Sequence, residues 1–304
     1  MAERWIRLAQ WLLGLAVVVF AGRAILRNWD EIAAAQLHWH LGWGHLFLGV
    51  IAVWITFVIL YEAWRRMLAG WGYHVAWWEG ARIWLLSSMA KYVPGKVWAL
   101  AGMAVMAERR GIPAWAATAS ALLLQVLSLG GGALVLALFG LAVFEERGIG
   151  TAVFVALAAA SIAVTSLALR PAIAGRLVER FVPNAGGGPL PPATTVLWGA
   201  LANTVAWLGY GAAFWLFAMG TLPAAGLGLR EAVGASTAAY VGGVLAPFAP
   251  GGLGVREGIL VLVLRDQTGL APALALAAVA RLGMTLAEVV VSLPFLLRRE
   301  ASHS

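Results

Sequence analysis

PFAPGGLGVREG, residues Pro247 to Gly258, is the stretch on which the fold turns. It holds Pro247 and Pro250, the glycines Gly251, Gly252, Gly254 and Gly258, and the adjacent pair Arg256-Glu257. Apolar sequence flanks it on both sides: AVGASTAAYVGGVLA from Ala232 to Ala246, and ILVLVL from Ile259 to Leu264. In a bilayer an open backbone and two charges are both costly. Such a break is tolerated only where it is buried in protein or lines a wet cavity. A second break of the same kind is KYVPGKVW, Lys91 to Trp98, in the first half of the chain. These two elbows are expected to form the working site, with the remaining helices holding them in place.

Composition fixes the solvent. The chain has 304 residues, of which 62% are hydrophobic and 12% charged, with a mean hydropathy of +0.85. A soluble domain carries about a quarter charged residues, so this is an all-α polytopic membrane protein. Nearly all of the length is used in spans, which leaves no stretch for a separate soluble catalytic domain. The net charge of +7 does not point to nucleic acid, because the cations sit at loop ends as the positive-inside rule places them. With no cysteine in the chain, disulfides, thiolate metal sites and cysteine nucleophiles are excluded. Sixteen tryptophans, among them Trp5, Trp43, Trp77, Trp78 and Trp115 near predicted span ends, fit interfacial belts.

Working outward, span one is predicted at Leu8–Leu26. Arg4 and Arg7 ahead of it resemble a signal peptide, but Val19-Phe20-Ala21 is a poor cleavage site, so the span is read as retained. The half-polar NWDEIAAAQLHWHLGW reads as an interfacial helix. Its His38, His40 and His45 lack facing ligands at metal spacing, so no metal site is assigned. Span two is predicted over Trp43–Trp64, and two arms, Trp77–Ala90 and Gly95–Ala107, flank Pro94-Gly95. Each arm has roughly 13 to 15 residues against the ~20 a crossing needs, which favours a re-entrant hairpin over two short tilted spans. Span three runs from Gly111 to Phe144, with Gly130-Gly131-Gly132 as a bend or close-packing point. Span four is Thr151–Leu169, followed by the Pro/Gly-rich linker Arg170–Ala193. Span five is Thr194–Met219, the second hairpin is Arg230–Leu264, and span six is Ala271–Leu297. The fold expected is therefore six full spans plus two broken hairpins, or eight spans if the hairpins cross. Twelve arginines fall on the inner segments against five on the outer, which sets both termini in the cytoplasm.

The layout repeats within a single membrane domain, residues 1–304. Two spans, a hairpin and a span occupy residues 8–144 and again 151–297, with opposite starting sides. Echoes support this: KYVPG (Lys91–Gly95) against AYVGG (Ala239–Gly243), and RRGIPAWAATA (Arg109–Ala119) against QTGLAPALALA (Gln267–Ala277). Inverted units with broken helices in matching places are the mark of alternating-access carriers whose site lies near the midplane.

Lys96 opens the second arm of hairpin one, and Arg256 holds the matching place in hairpin two. A helix N-terminus carries free N–H groups and partial positive charge, and each cation adds to it. Arg also offers a phosphate-matching fork that Lys lacks. Lys91 and Tyr92 join the candidate substrate-binding set, Lys91 also being able to snorkel to the inner surface. Span six contributes Arg281, Thr285, Glu288 and Ser292 on one helical stripe. Gln125 and Ser128, with Asn203 and Tyr210, are candidates to face the same cavity. Glu257 and Glu288 are candidates for coupling, and Arg256-Glu257 and Arg281-Glu288 also fit structural ion pairs. Glu62, near the end of span two, fits a solvated position. Gly252, Gly254 and Gly258 do not form a dinucleotide loop, since the spacing is wrong and no strand precedes them. No cofactor is expected.

SSMAKYVPGKVW (Ser87–Trp98), PGGLGVREG (Pro250–Gly258) and ARLGMTLAE (Ala280–Glu288) together resemble the membrane domain of lysylphosphatidylglycerol synthase/flippase proteins, over about Trp54–Leu297. That domain also occurs alone in bacteria and archaea, so the resemblance implies a lipid flippase-like protein of the cytoplasmic membrane. In two-part members a soluble domain charges the lipid with lysine; none is seen here, and synthase activity is not expected. Gln125 stands where the family pattern would place an acidic residue. The resulting expectation is alternating-access movement of an anionic or zwitterionic lipid, either a phospholipid or a polyprenyl-phosphate-linked glycan. The competing readings are a membrane-embedded lipid-phosphate transferase and a non-catalytic partner of a cell-envelope glycosyltransferase.

Overall fold

A bilayer offers no water to an open backbone, so a chain of this composition must close its hydrogen bonds within helices. The computed structural model describes residues 37–90, 97–144, 150–170, 176, 191–246, 249 and 252–297, and every regular element among them is helical. In chain order these are α1 (Trp43–Gly70), α2 (Trp77–Met89), α3 (Val97–Glu108), α4 (Ala114–Phe139), the single turn α5 (Leu141–Phe144) and α6 (Thr151–Ala168). They continue as α7 (Ala193–Thr221), α8 (Leu229–Leu245), α9 (Val255–Thr268) and α10 (Leu270–Leu297). Five of them, α1, α4, α6, α7 and α10, are long and apolar enough to cross a membrane, which makes this a multi-pass membrane protein. Span one and the first elbow turn lie outside the described residues, as do Pro247, Phe248, Pro250 and Gly251 of the second elbow.

The four hairpin arms are shorter. α2, α3, α8 and α9 have 13, 12, 17 and 14 residues. At the α-helical rise these span roughly 18–26 Å, less than the ~30 Å hydrocarbon core. α2 packs on α3 and α8 on α9, giving two hairpin-like pairs.

Span two runs further than Trp64. The helix continues to Gly70, and Glu62 is shared by the two arginines that follow it: Arg65 Nε and Arg66 Nε each lie 2.8 Å from its carboxylate. Span three divides at its far end, where α4 stops at Phe139 and α5 follows Gly140.

Helices in lipid gain no hydrophobic drive towards one another, so close packing at small residues does much of the work. α4 illustrates this with three successive glycines inside an unbroken helix. A Cβ at Gly130 would meet Val164 of α6, one at Gly131 would lie 3.0 Å from the Thr204 backbone nitrogen of α7, and one at Gly132 would lie 2.9 Å from Val241 of α8. The triplet is therefore a close-packing point for three neighbours. Gly131→Leu is expected to push α4 off α7 and lower stability by about 1–3 kcal/mol, read as an earlier thermal unfolding transition of the purified protein.

The apolar interior falls into two main clusters. One gathers Trp64, Met67, Leu68, Met103, Leu123, Leu124 and Leu127 around the α2–α3 hairpin. The other gathers Val53, Phe214, Phe217, Leu260, Leu264 and Leu276 around the α8–α9 hairpin. α1 and α7 make the most extensive helix pair and join the two halves. Ahead of α1, the His40 and Gly42 amides donate to the carbonyls of Thr221 and Gly220 at the end of α7, extending that pairing. Two indoles brace the halves further: Trp54 Nε1 of α1 donates to Ala287 O of α10 at 2.9 Å, and Trp207 Nε1 of α7 donates to Ser128 O of α4 at 2.8 Å.

Candidate functional site

α8 ends at Leu245, and the chain turns back so that α9 begins at Val255 beside it. The return requires backbone that most residues avoid: φ is +71° at Gly252 and +78° at Gly254. The first turn of α9 is stabilised from within, since the Gly254 N–H donates to Glu257 Oε2 at 2.7 Å. This satisfies one of the orphan donors of the helix start.

Arg256 leaves this turn through a slot between two glycine backbones. A Cβ at Gly243 would come within 2.6 Å of Arg256 Cγ, and one at Gly252 within 2.6 Å of Arg256 Nε. No other residue type leaves that space open. The guanidinium carbon sits 3.8 Å from the centroid of the Tyr240 ring, a cation–π contact made where water is scarce. Its Nε is buried and has no hydrogen-bond partner among the described residues.

Tyr240 is the centre of an aromatic group. It stacks on Tyr210 at 5.7 Å and 10°, and Trp207 meets it edge-on at 6.2 Å and 82°. Tyr210 in turn meets Phe57 of α1 edge-on at 6.2 Å and 73°. Arg256, Glu288, Arg281 and Glu257 all act on Tyr240 electrostatically. Among the described residues these are two basic and two acidic side chains. Arg281 Nη1 lies 3.7 Å from Glu257 Oε1, tying α10 to the start of α9. At that distance the attraction is one of charge rather than a short hydrogen bond.

On α10 the polar stripe turns inward. Arg281 and Thr285 are half-buried, and Glu288 and Ser292 are buried, with 4% and 0% of their surface exposed. Leu282, Leu286, Val290 and Leu293 occupy the exposed opposite side. The remaining candidates fall elsewhere. Gln125 is exposed on α4. Asn203 is buried, but its amide donates to Gly199 O one turn back at 2.8 Å, so it serves its own helix. Ser128 contributes its carbonyl to Trp207, and Glu62 pairs with Arg65 and Arg66. Lys91, Tyr92, Pro94, Gly95, Lys96, Pro247, Pro250 and Gly251 lie outside the described residues.

Sequence reasoning overlooked Tyr240. The signal is in the sequence, because the echo of KYVPG in AYVGG aligns Tyr240 with Tyr92, a candidate substrate-binding residue. It also overlooked Thr237, one turn earlier on α8, which is fully buried with an Oγ1 that has no partner among the described residues.

Among curated proteins, none matches the chain. The family model described as the lysylphosphatidylglycerol synthase TM region does match it, over residues 9–291, and that span includes every residue of the Arg256 cluster. The chain therefore belongs to the lysylphosphatidylglycerol synthase TM-region family.

Proposed function

We propose that this protein moves a lipid with an anionic or zwitterionic phosphate head group across the membrane by alternating access. The observation that carries the reading is Arg256. A guanidinium held in a glycine slot at the start of a half-length membrane helix keeps a buried Nε donor with no partner among the described residues. A buried donor without a partner costs free energy comparable to a lost hydrogen bond and calls for an explanation. A phosphate oxygen supplies one, since it accepts charge-assisted hydrogen bonds from arginine and favours the N-terminus of α9. The acyl chains would remain in lipid.

Alternating access draws support from an internal correspondence between the halves. The interval that takes Trp54 to Trp207 also takes Thr56 to Gly209 and Phe57 to Tyr210. Both of these last pairs meet directly: a side chain at Gly209 would run into Thr56, and Phe57 touches Tyr210. The same interval takes Leu46 to Gly199 and Met67 to Gly220, and the contacts Leu46–Gly220 and Met67–Gly199 exchange under it. Residues that meet their own counterparts are what a two-fold axis between α1 and α7 would bring together. The braces Trp54–Ala287 and Trp207–Ser128 fit the same pattern, each joining one of the corresponding indoles to the long helix that follows a hairpin, α10 or α4. Inverted units related in this way are the architecture of carriers that rock one half against the other. Glu257 or Glu288 is the candidate to couple such motion to a proton.

Reconstitution tests the reading. Purified protein in vesicles carrying fluorescent phosphatidylglycerol, phosphatidylcholine or a polyprenyl phosphate should speed bilayer crossing over protein-free vesicles. A cationic lipid lacking phosphate should not be accelerated. If no phosphate-bearing lipid crosses faster, or the phosphate-free lipid crosses equally fast, the proposal is wrong.

A further inference from the structure

We infer that Tyr240, backed by Tyr210, is a positioning residue that fixes the Arg256 guanidinium for phosphate; this rests on the lipid-phosphate reading above. Arginine is long, with several freely rotating bonds, and ordering such a side chain costs conformational entropy. The Gly243–Gly252 slot confines the stem, since both glycines press on Cγ and Nε. It does not orient the plane of the head. That is done by the ring of Tyr240, 3.8 Å below the guanidinium carbon.

A ring can orient a guanidinium only if it is itself held. Tyr240 is gripped on two sides, by the parallel face of Tyr210 and by the edge of Trp207, which is pinned through its own hydrogen bond to Ser128 O. Tyr210 is braced by Phe57. The chain of contacts runs from Arg256 through Tyr240 and Tyr210 to α1, so the head of Arg256 is referenced to the α1–α7 crossing as well as to its own hairpin. A guanidinium held over a ring by its face keeps its N–H donors, which lie in its own plane, at its edge for an acceptor, which suits a tetrahedral phosphate. The ring face is therefore the part of Tyr240 that matters, and its hydroxyl is secondary.

The test is binding of two probes by the purified full-length chain in detergent, measured calorimetrically: dihexanoyl phosphatidylglycerol, and inorganic phosphate as a head group without a lipid. Wild type is expected to bind the lipid, and Arg256→Ala to lose that binding. Tyr240→Leu is expected to weaken it about tenfold, the size of a desolvated cation–π contact, while Tyr240→Phe, which keeps the ring, recovers most of the affinity. Tyr210→Leu leaves Tyr240 in place and removes its backing. It should weaken binding by roughly threefold, a fraction of that contact, and it carries the test if Tyr240→Leu does not fold. Comparable effects on inorganic phosphate would assign the site to phosphate in general, and effects on the lipid alone to the head group in its lipid setting; both agree with the inference. Arg256→Ala weakening binding while Tyr240→Leu and Tyr210→Leu do not would overturn the inference and leave the lipid-phosphate reading intact. Tyr240→Phe as weak as Tyr240→Leu would overturn it too, by moving the role to the hydroxyl. Wild type binding no better than Arg256→Ala would instead remove the lipid-phosphate reading itself, and this inference with it.

Discussion

Arg256→Ala is expected to slow the movement of phosphate-bearing lipids through the reconstituted protein by roughly ten- to a hundredfold, the loss that follows removal of a hydrogen-bonding charge from a buried site. Two effects add. The phosphate loses its donor, and the described residues around Tyr240 lose one of two basic side chains while the acidic Glu257 and Glu288 remain. One fewer cation faces the head group in a medium that screens charge poorly, so an anionic head group is attracted less as well as unbound. Arg256→Lys separates the two effects. It restores the charge and a weaker ring contact but not the fork, and it should fall between alanine and wild type. Initial rates at matched protein density, with thermal unfolding as a check that the variants fold, decide the matter. Arg256→Ala transporting at the wild-type rate would mean that its buried Nε has a purely structural explanation.

What could be read from the sequence and what could not divide along physical lines. The spans were legible because hydropathy over ~20 residues does not depend on which neighbour a helix meets; α6, predicted at Thr151–Leu169, forms over Thr151–Ala168. The second hairpin was legible because proline and glycine restrict backbone whatever surrounds it. The inward stripe of α10 was legible because four polar residues at helical spacing fix the phase of a helix on their own. Gln125 had no such company. The side that α4 presents to the bundle is set by Leu123, Leu124, Leu127 and the glycine triplet, and this leaves Gln125 exposed. Asn203 points inward, yet the sequence could not reveal that its amide would turn back onto Gly199 O. Tyr240 is a tertiary fact: nothing local to AYVGG states that an arginine sixteen residues later will lie on its ring. The repeat supplied a hint, since an echo in sequence implies an echo in position.

Locking the two ends of the α1–α7 pair should stop transport, whereas locking its centre should not. The absence of cysteine from the chain allows a clean experiment with introduced pairs. If the halves rock about the axis suggested by Thr56–Gly209 and Phe57–Tyr210, displacement is smallest at the crossing and grows with distance along both helices. Thr56 and Gly209 touch at that crossing, Leu46 and Gly220 meet towards one end, and Met67 and Gly199 towards the other. Helices of 28 and 29 residues extend roughly 40 Å at the α-helical rise, so a small rotation at the centre becomes several ångströms at the tips, the scale of a hinge motion. A bridge between Cys at 46 and 220, or between Cys at 67 and 199, should therefore abolish lipid movement and release it on reduction, and each should trap the opposite side closed. A bridge between Cys at 56 and 209 should leave most of the rate. The three pairs sit on the same two helices, so a general loss of flexibility would affect all of them alike. Equal inhibition by all three would mark such a general loss and overturn the prediction, and no inhibition by the end pairs would show that α1 and α7 move as one rigid piece. The moving boundary would then have to lie elsewhere, between this central pair and the two hairpins.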